Sequence, residues 1–198
     1  AVATAVAGRL YVVGGFDGRQ RLSSAERLRG GPTPGVWERL PPTVEPRSQA
    51  AMAVSSGQVY VCGGYDGAGI LGSGERFDTR DAAAAWLPLP PMLHRRSQAA
   101  AAEASGKIYI CGGYDGTLRL SSVERYCTRA GAWEEVAPIS ERRSRAVAAV
   151  VAGRLFVFGG FNGTQRLSSA EVFDPAGGAG TVWAPLLPMI CQREGAAG

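Results

Sequence analysis

Apolar residues in this chain come in short bursts, and the polar pattern around each burst is the same. Residues 107–111, Lys-Ile-Tyr-Ile-Cys, form one such burst between a Ser-Gly and a Gly-Gly. A run of that length with turn signals on both sides predicts a buried strand. Ahead of it, 98–104 (Gln-Ala-Ala-Ala-Ala-Glu-Ala) predicts a strand of small side chains. Behind it, 120–126 alternates: Leu120, Ser122, Glu124 and Tyr126 lie on one side, Ser121, Val123 and Arg125 on the other. That period of two marks a third strand. A short fourth follows at Ala132–Val136, and Ser-Gly, Gly-Gly-Tyr-Asp-Gly, Thr-Arg-Ala-Gly and Pro138 supply the breaks. No segment carries a 3.6-residue apolar period, so helices are not expected.

The same unit is written four times. Double glycines fall at 14–15, 63–64, 112–113 and 159–160, in steps of 49, 49 and 47. Eleven residues after each second glycine stands a glutamate: Glu26, Glu75, Glu124, Glu171. A tryptophan follows after 9 to 12 residues (Trp37, Trp86, Trp133, Trp183), and ten residues later an arginine (Arg47, Arg96, Arg143, Arg193). Four short strands in every unit of about 48 residues describe the blade of a β-propeller. Inner strands must be small where blades converge, and Ala-Ala-Met-Ala-Val (50–54) and Ala-Val-Ala-Ala-Val-Val (146–151) meet that need. The glycine pairs allow positive φ where the second strand leaves the sheet, and each tryptophan fills the gap between blades. The glycine, glutamate and tryptophan series are therefore read as architecture.

Composition sharpens this picture by exclusion. The 198 residues are 45% hydrophobic and 19% charged, as in a folded protein. The net charge of +4 comes without a basic run or helix, so no nucleic-acid role is expected. No apolar stretch approaches the roughly 18 residues needed to span a bilayer, so no membrane role is expected. The opening Ala-Val-Ala-Thr-Ala-Val lacks the features of a signal peptide and reads as a strand entered part-way, which suggests a piece of a longer polypeptide. The four cysteines form no CxxC pair and sit singly in different repeats, favouring reduced thiols and a cytoplasmic protein without metal or disulfides.

Candidate chemistry is sparse. His94 is the single histidine, too few for a catalytic triad or a three-ligand metal site. The glycine pairs open no helix and precede no Lys-Ser/Thr, so they are not phosphate loops. Asp17, Asp66 and Asp115 recur with the turn that favours Asp-Gly, and Asn162 replaces them in the fourth copy. The Asn-Gly-Thr this creates is read as turn chemistry, not as a glycosylation acceptor. No enzyme, cofactor, metal or catalytic residue is expected.

The motifs together resemble the kelch-repeat propellers. They comprise Gly-Gly then an aromatic, Asp-Gly, a Ser-rich strand ending Glu-Arg-Tyr/Phe, and a Trp before Pro-Met and Arg-Ser. "LSSVERY", "LPPM" and "PPMLHRRSQ" are most similar to the kelch-like proteins, whose propeller follows a BTB domain. The resemblance implies an all-β kelch propeller with four four-stranded antiparallel blades (about 1–46, 47–95, 96–142 and 143–192), 193–198 starting a further blade. Such propellers most often close with six blades, so these four are expected to be part of a six-bladed ring.

The resemblance also implies a partner-binding face around the channel mouth. There the repeats share positions but differ in chemistry. The aromatic after each glycine pair gives Phe16, Tyr65, Tyr114 and Phe161, and five residues on come Arg21, Ile70, Arg119 and Arg166. After the repeat arginine stand Ser48, Ser97, Ser144 and Glu194, followed by Gln49, Gln98 and Arg145. Guanidinium forks, aromatic faces and hydroxyls on short loops suit an extended acidic peptide or protein. Ile70 interrupts the arginine series, so no uniform basic ring is expected. The implied function is protein interaction, as the substrate-recognition propeller of a cullin-3 ubiquitin ligase adaptor. Cullin-3 would be reached only through a BTB domain that is not in this chain. The alternative is an actin-binding or cytoskeletal scaffold propeller with no ubiquitin role.

Overall fold

The computed structural model describes residues 1–29, 35–81, 84–178 and 180–195. Sixteen strands among these residues form four separate four-stranded antiparallel sheets, each in simple meander order. The first blade contains β1 (Val2–Val6), β2 (Arg9–Val13), β3 (Ala25–Arg29) and β4 (Trp37–Leu40). The second contains β5 (Ala51–Ser55), β6 (Gln58–Cys62), β7 (Gly74–Asp78) and β8 (Leu87–Pro88). The third contains β9 (Ala100–Ala104), β10 (Lys107–Cys111), β11 (Val123–Cys127) and β12 (Ala132–Val136). The fourth contains β13 (Val147–Val151), β14 (Arg154–Phe158), β15 (Ala170–Phe173) and β16 (Ala184–Leu186). No helix is found among the described residues, and the all-β kelch propeller architecture is the one observed. Residues 196–198, the end of the segment read as starting a further blade, lie outside the described residues.

The small strands are innermost. β1, β5, β9 and β13 stand side by side around a cavity of about 630 Å³, lined by Ala3, Ala51, Ala100 and Val147 among others. Bulkier side chains there would force neighbouring sheets apart, because the strands converge on one axis.

The core is divided into three layers, one between each pair of adjacent blades. Between the first two, Tyr11 and Val13 meet Val59, Val61, Phe77 and Trp86. Between the second and third, Tyr60 and Cys62 meet Ile108, Ile110 and Tyr126. Between the third and fourth, Tyr109 and Cys111 meet Leu155, Val157, Phe173 and Trp183. Period-two alternation sends one row of β6 and of β10 to the preceding blade and the other row to the following one. Burying a side chain such as Ile108 or Leu155 in this way contributes roughly 1.5–3 kcal/mol. Burial also pushes the Cys62 and Cys111 thiols up to about 12, and all four cysteines are free.

Polar clamps hold the same junctions together. Arg96, almost wholly buried at 1% exposure, donates to Glu124, to the Ser122 hydroxyl and to the carbonyls of Gly112 and Ser122. Arg47 with Glu75 (2.8 Å) and Arg143 with Glu171 (2.9 Å) repeat the pairing. The second carboxylate oxygen accepts from the backbone N–H of Val44, Leu93 or Ser140. Three tryptophan N–H groups donate to carbonyls of the preceding blade: Trp86 to Pro41, Trp133 to Pro90 and Trp183 to Ala137, at 2.8–2.9 Å. The first glycine of each pair makes this approach possible. A Cβ on Gly63 or Gly112 would strike the carbonyl oxygen of Arg96 or Arg143, and both residues have φ above +60°.

Candidate partner-binding face

Each hairpin loop after the second strand is tied to the loop that enters an inner strand. Ser48 bridges to Tyr65, Ser97 to Tyr114 and Ser144 to Phe161, each as a two-residue antiparallel bridge. The aromatic then bridges to the residue five positions on: Phe16 to Arg21, Tyr65 to Ile70, Tyr114 to Arg119 and Phe161 to Arg166. The residues singled out from the sequence thus meet at one end of the blades.

The turns that present them are built by carboxylates. Asp115 Oδ1 accepts from the backbone N–H of Thr117 and Leu118, both at 2.7 Å. Asp17 and Asp66 do the same in their copies, and Asn162 Oδ1 serves Thr164 and Gln165 at 2.9 Å. These backbone donors hold the three aspartates below the ordinary range for the residue.

Within that frame the arginines differ. The Arg21 guanidinium lies 4.0 Å above the Phe16 ring and 5.2 Å from Tyr65 of the next blade. Arg119 is wedged alike, 4.2 Å from Tyr114 and 5.5 Å from Phe161. Both are thus held between aromatic faces of adjacent blades. The Nε atoms of Arg21 and Arg119 are buried and have no hydrogen-bond partner. Ile70 holds the corresponding place between the second and third blades, against Gly116. Arg166 instead pairs with Glu194 at 3.1 Å, and Arg145 approaches the same carboxylate at 3.8 Å.

Not every candidate side chain is presented outward. Ser48, Ser97 and Ser144 are buried, and their hydroxyls donate to the carbonyls of Tyr65, Tyr114 and Phe161. They fasten the loops together. The Tyr65 and Tyr114 hydroxyls donate to Gly67 and Gly116 at 2.6 Å, which locks both rings upright. His94 lies at the junction below, with Nδ1 3.4 Å from Glu124.

A feature the sequence reading did not assemble runs around the same mouth. Gln49, Gln98 and Arg145 all have φ near +55°, unusual for residues with a side chain. Their backbones form a chain from blade to blade: Gln98 N–H to Gln49, Arg145 N–H to Gln98 and Gly195 N–H to Arg145, at 2.8–2.9 Å. The side chains follow, Gln98 Nε2 to Gln49 Oε1 at 3.1 Å and Arg145 Nε to Gln98 Oε1 at 3.2 Å. The recurrence of a long polar residue two positions after the repeat arginine was the available signal.

This geometry defines a class: a rigid multi-bladed β-propeller with a polar, aromatic-lined loop face. The chain belongs to the kelch-repeat family. Residues 1–160 match the model of the KLHDC2/KLHL20/DRC7 Kelch-repeats domain, and residues 142–179 match the Kelch motif. No curated protein matches the chain. Kelch-repeat propellers are protein–protein interaction modules, and the family is generally non-catalytic.

Proposed function

We propose that this propeller is the substrate-recognition module of a cytoplasmic cullin-3 ubiquitin ligase adaptor, and that it binds an extended peptide bearing carboxylates. The observation that carries the recognition half is the pair of arginine wedges, Arg21 over Phe16 and Arg119 over Tyr114. Each guanidinium is a rigid planar fork of N–H donors, the shape that bidentate carboxylate binding needs, and is packed within 4.2 Å of a ring centre. The rings fix it in place, so less side-chain entropy is lost on binding. The mechanism is capture alone: the propeller holds the peptide, and a BTB domain elsewhere in the polypeptide would recruit cullin-3.

The test is peptide binding followed by fluorescence anisotropy, using acidic peptides and their amidated counterparts. Acidic peptides are expected to bind with marked salt dependence, and Arg21→Ala and Arg119→Ala are each expected to weaken them about tenfold. Equal binding of the neutral peptides, or unchanged affinity in both variants, would overturn the recognition reading. Co-purification of cullin-3 with the full-length polypeptide is expected on the ligase reading. Its absence would overturn that part alone.

A further inference from the structure

We infer that the partner's binding segment is bipartite: two acidic residues, one for each arginine wedge, with an apolar residue between them. The inference rests on the acidic-peptide reading above and says which acidic peptides are accepted. It comes from following one position through the four copies. Arg21, Ile70, Arg119 and Arg166 each bridge back to the aromatic of their own loop. The first three also lean on a glycine of the next blade's loop, Gly67, Gly116 and Gly163 in turn. Three successive blade junctions therefore present a cation, an aliphatic side chain and a cation at the same place.

The middle junction is poor in polar side chains beyond Ile70 itself. The tip of the second blade's loop is Ala68-Gly69, where the first has Arg19-Gln20 and the fourth Thr164-Gln165. On the third blade's tip, Leu118 is half-exposed. Arg95 is exposed beside Gly72, but the Asp115 carboxylate feels its charge, so together they add little net charge there. Ile70 offers no donor, and a carboxylate pressed against it would lose water and gain no partner. An apolar side chain of the ligand suits this place, and a charged one is rejected.

The fourth place is closed to anions. Glu194 stands where the other copies carry the buried Ser48, Ser97 and Ser144. Its carboxylate already lies 3.1 Å from Arg166 and 3.8 Å from Arg145. An incoming carboxylate would have to displace it against like charge. Arg21 and Arg119, by contrast, make no ion pair among the described residues and keep their charge for a ligand. The two free wedges thus set the ends of the acidic segment, and Ile70 sets its centre.

Fluorescence anisotropy on the full-length polypeptide tests this with Gly-Ser peptides carrying two aspartates. About three to six residues separate the aspartates, a reach of roughly 10–20 Å when extended, and Leu, Gln or Glu stands midway. The Leu-centred peptide is expected to bind about tenfold tighter than the Glu-centred one, with the Gln-centred one between. Ile70→Arg is expected to reverse the order of the Leu and Glu peptides. Glu194→Gln is expected to improve binding about fivefold for a peptide extended by a third aspartate, and to leave the two-aspartate peptides unchanged. Affinity that needs the aspartates but ignores the central residue would overturn the bipartite segment and leave the acidic-peptide reading standing. So would an Ile70→Arg variant that keeps the preference for Leu. Affinity indifferent to the aspartates would overturn both.

Discussion

The junction between the second and third blades and the loop rim above it obey different rules. At the junction, Arg96 and Glu124 repeat the chemistry of Arg47 with Glu75 and Arg143 with Glu171, fully buried each time. At the rim, the corresponding place holds Arg21, Ile70, Arg119 and Arg166 in the successive repeats. Even the arginines divide, two stacked on aromatic rings and one paired with Glu194. A buried ion pair tolerates no change, because losing one partner strands a charge in a low dielectric. A half-exposed loop side chain is free to vary, so it is there that partner preference can be written.

The largest expected effect breaks the junction. Glu124→Ala leaves Arg96 buried without its carboxylate and frees the Leu93 and His94 N–H groups. A loss of about 3–5 kcal/mol is expected in urea unfolding, enough to unfold a marginal blade array. Loss under about 1 kcal/mol would mean the clamp contributes little, and the contrast with the rim would vanish.

A smaller effect concerns the turn that supports the rim. Asp115→Ala removes the carboxylate that accepts from two backbone N–H groups and is expected to cost about 1 kcal/mol near pH 7. Because the folded carboxyl is held below its ordinary value of 3.8, its contribution is present above that value. It is lost as pH falls through the lowered folded value. Asp115→Asn copies the fourth repeat, where Asn162 makes the same turn, so it is expected to keep the stability and lose this acid sensitivity. Paired urea titrations at neutral and acid pH check both; an Asn variant as weak as the Ala variant would contradict the account.

The smallest effect on stability is expected from Ile70→Arg, which completes the arginine series. The residue leans on Gly116 as Arg21 leans on Gly67 and Arg119 on Gly163, so the longer side chain has room along the rim. Stability is expected to stay within about 0.5 kcal/mol, while affinity for an acidic peptide rises. A melting temperature that drops by several degrees would show that Ile70 belongs to the junction instead.

Much of the fold could be read before any coordinates. Period-two alternation at Leu120–Tyr126 and the small residues at 98–104 are local signals, and they place β11 (Val123–Cys127) and β9 (Ala100–Ala104). Gln98–Ala99 and Leu120–Ser122 lie outside the strands, Leu120 and Ser122 bonding the glycine loop instead. The partners of the repeat arginine were less accessible. Arg47 and Glu75, Arg96 and Glu124, Arg143 and Glu171 are each 28 residues apart, a constant offset visible in the sequence, yet nothing in it says that the arginine's backbone is held by the loops of one sheet while its side chain reaches the glutamate of the next. Ser48, Ser97 and Ser144 show the converse. Their position marks them as rim residues, but only packing reveals that their hydroxyls are consumed by the carbonyls of Tyr65, Tyr114 and Phe161.

By itself, the sequence determined the repeat, its four strands and the loops where the copies diverge. Strand period, turn chemistry and residue size act over a few neighbours and are written locally. Which charges are buried and which arginines lie between rings of neighbouring blades was decided by the tertiary structure. The buried ion pairs join groups 28 residues apart at 2.8–2.9 Å, and Tyr65 of the next blade comes 5.2 Å from Arg21, so burial and not local sequence settles whether a polar side chain holds the fold or faces a partner.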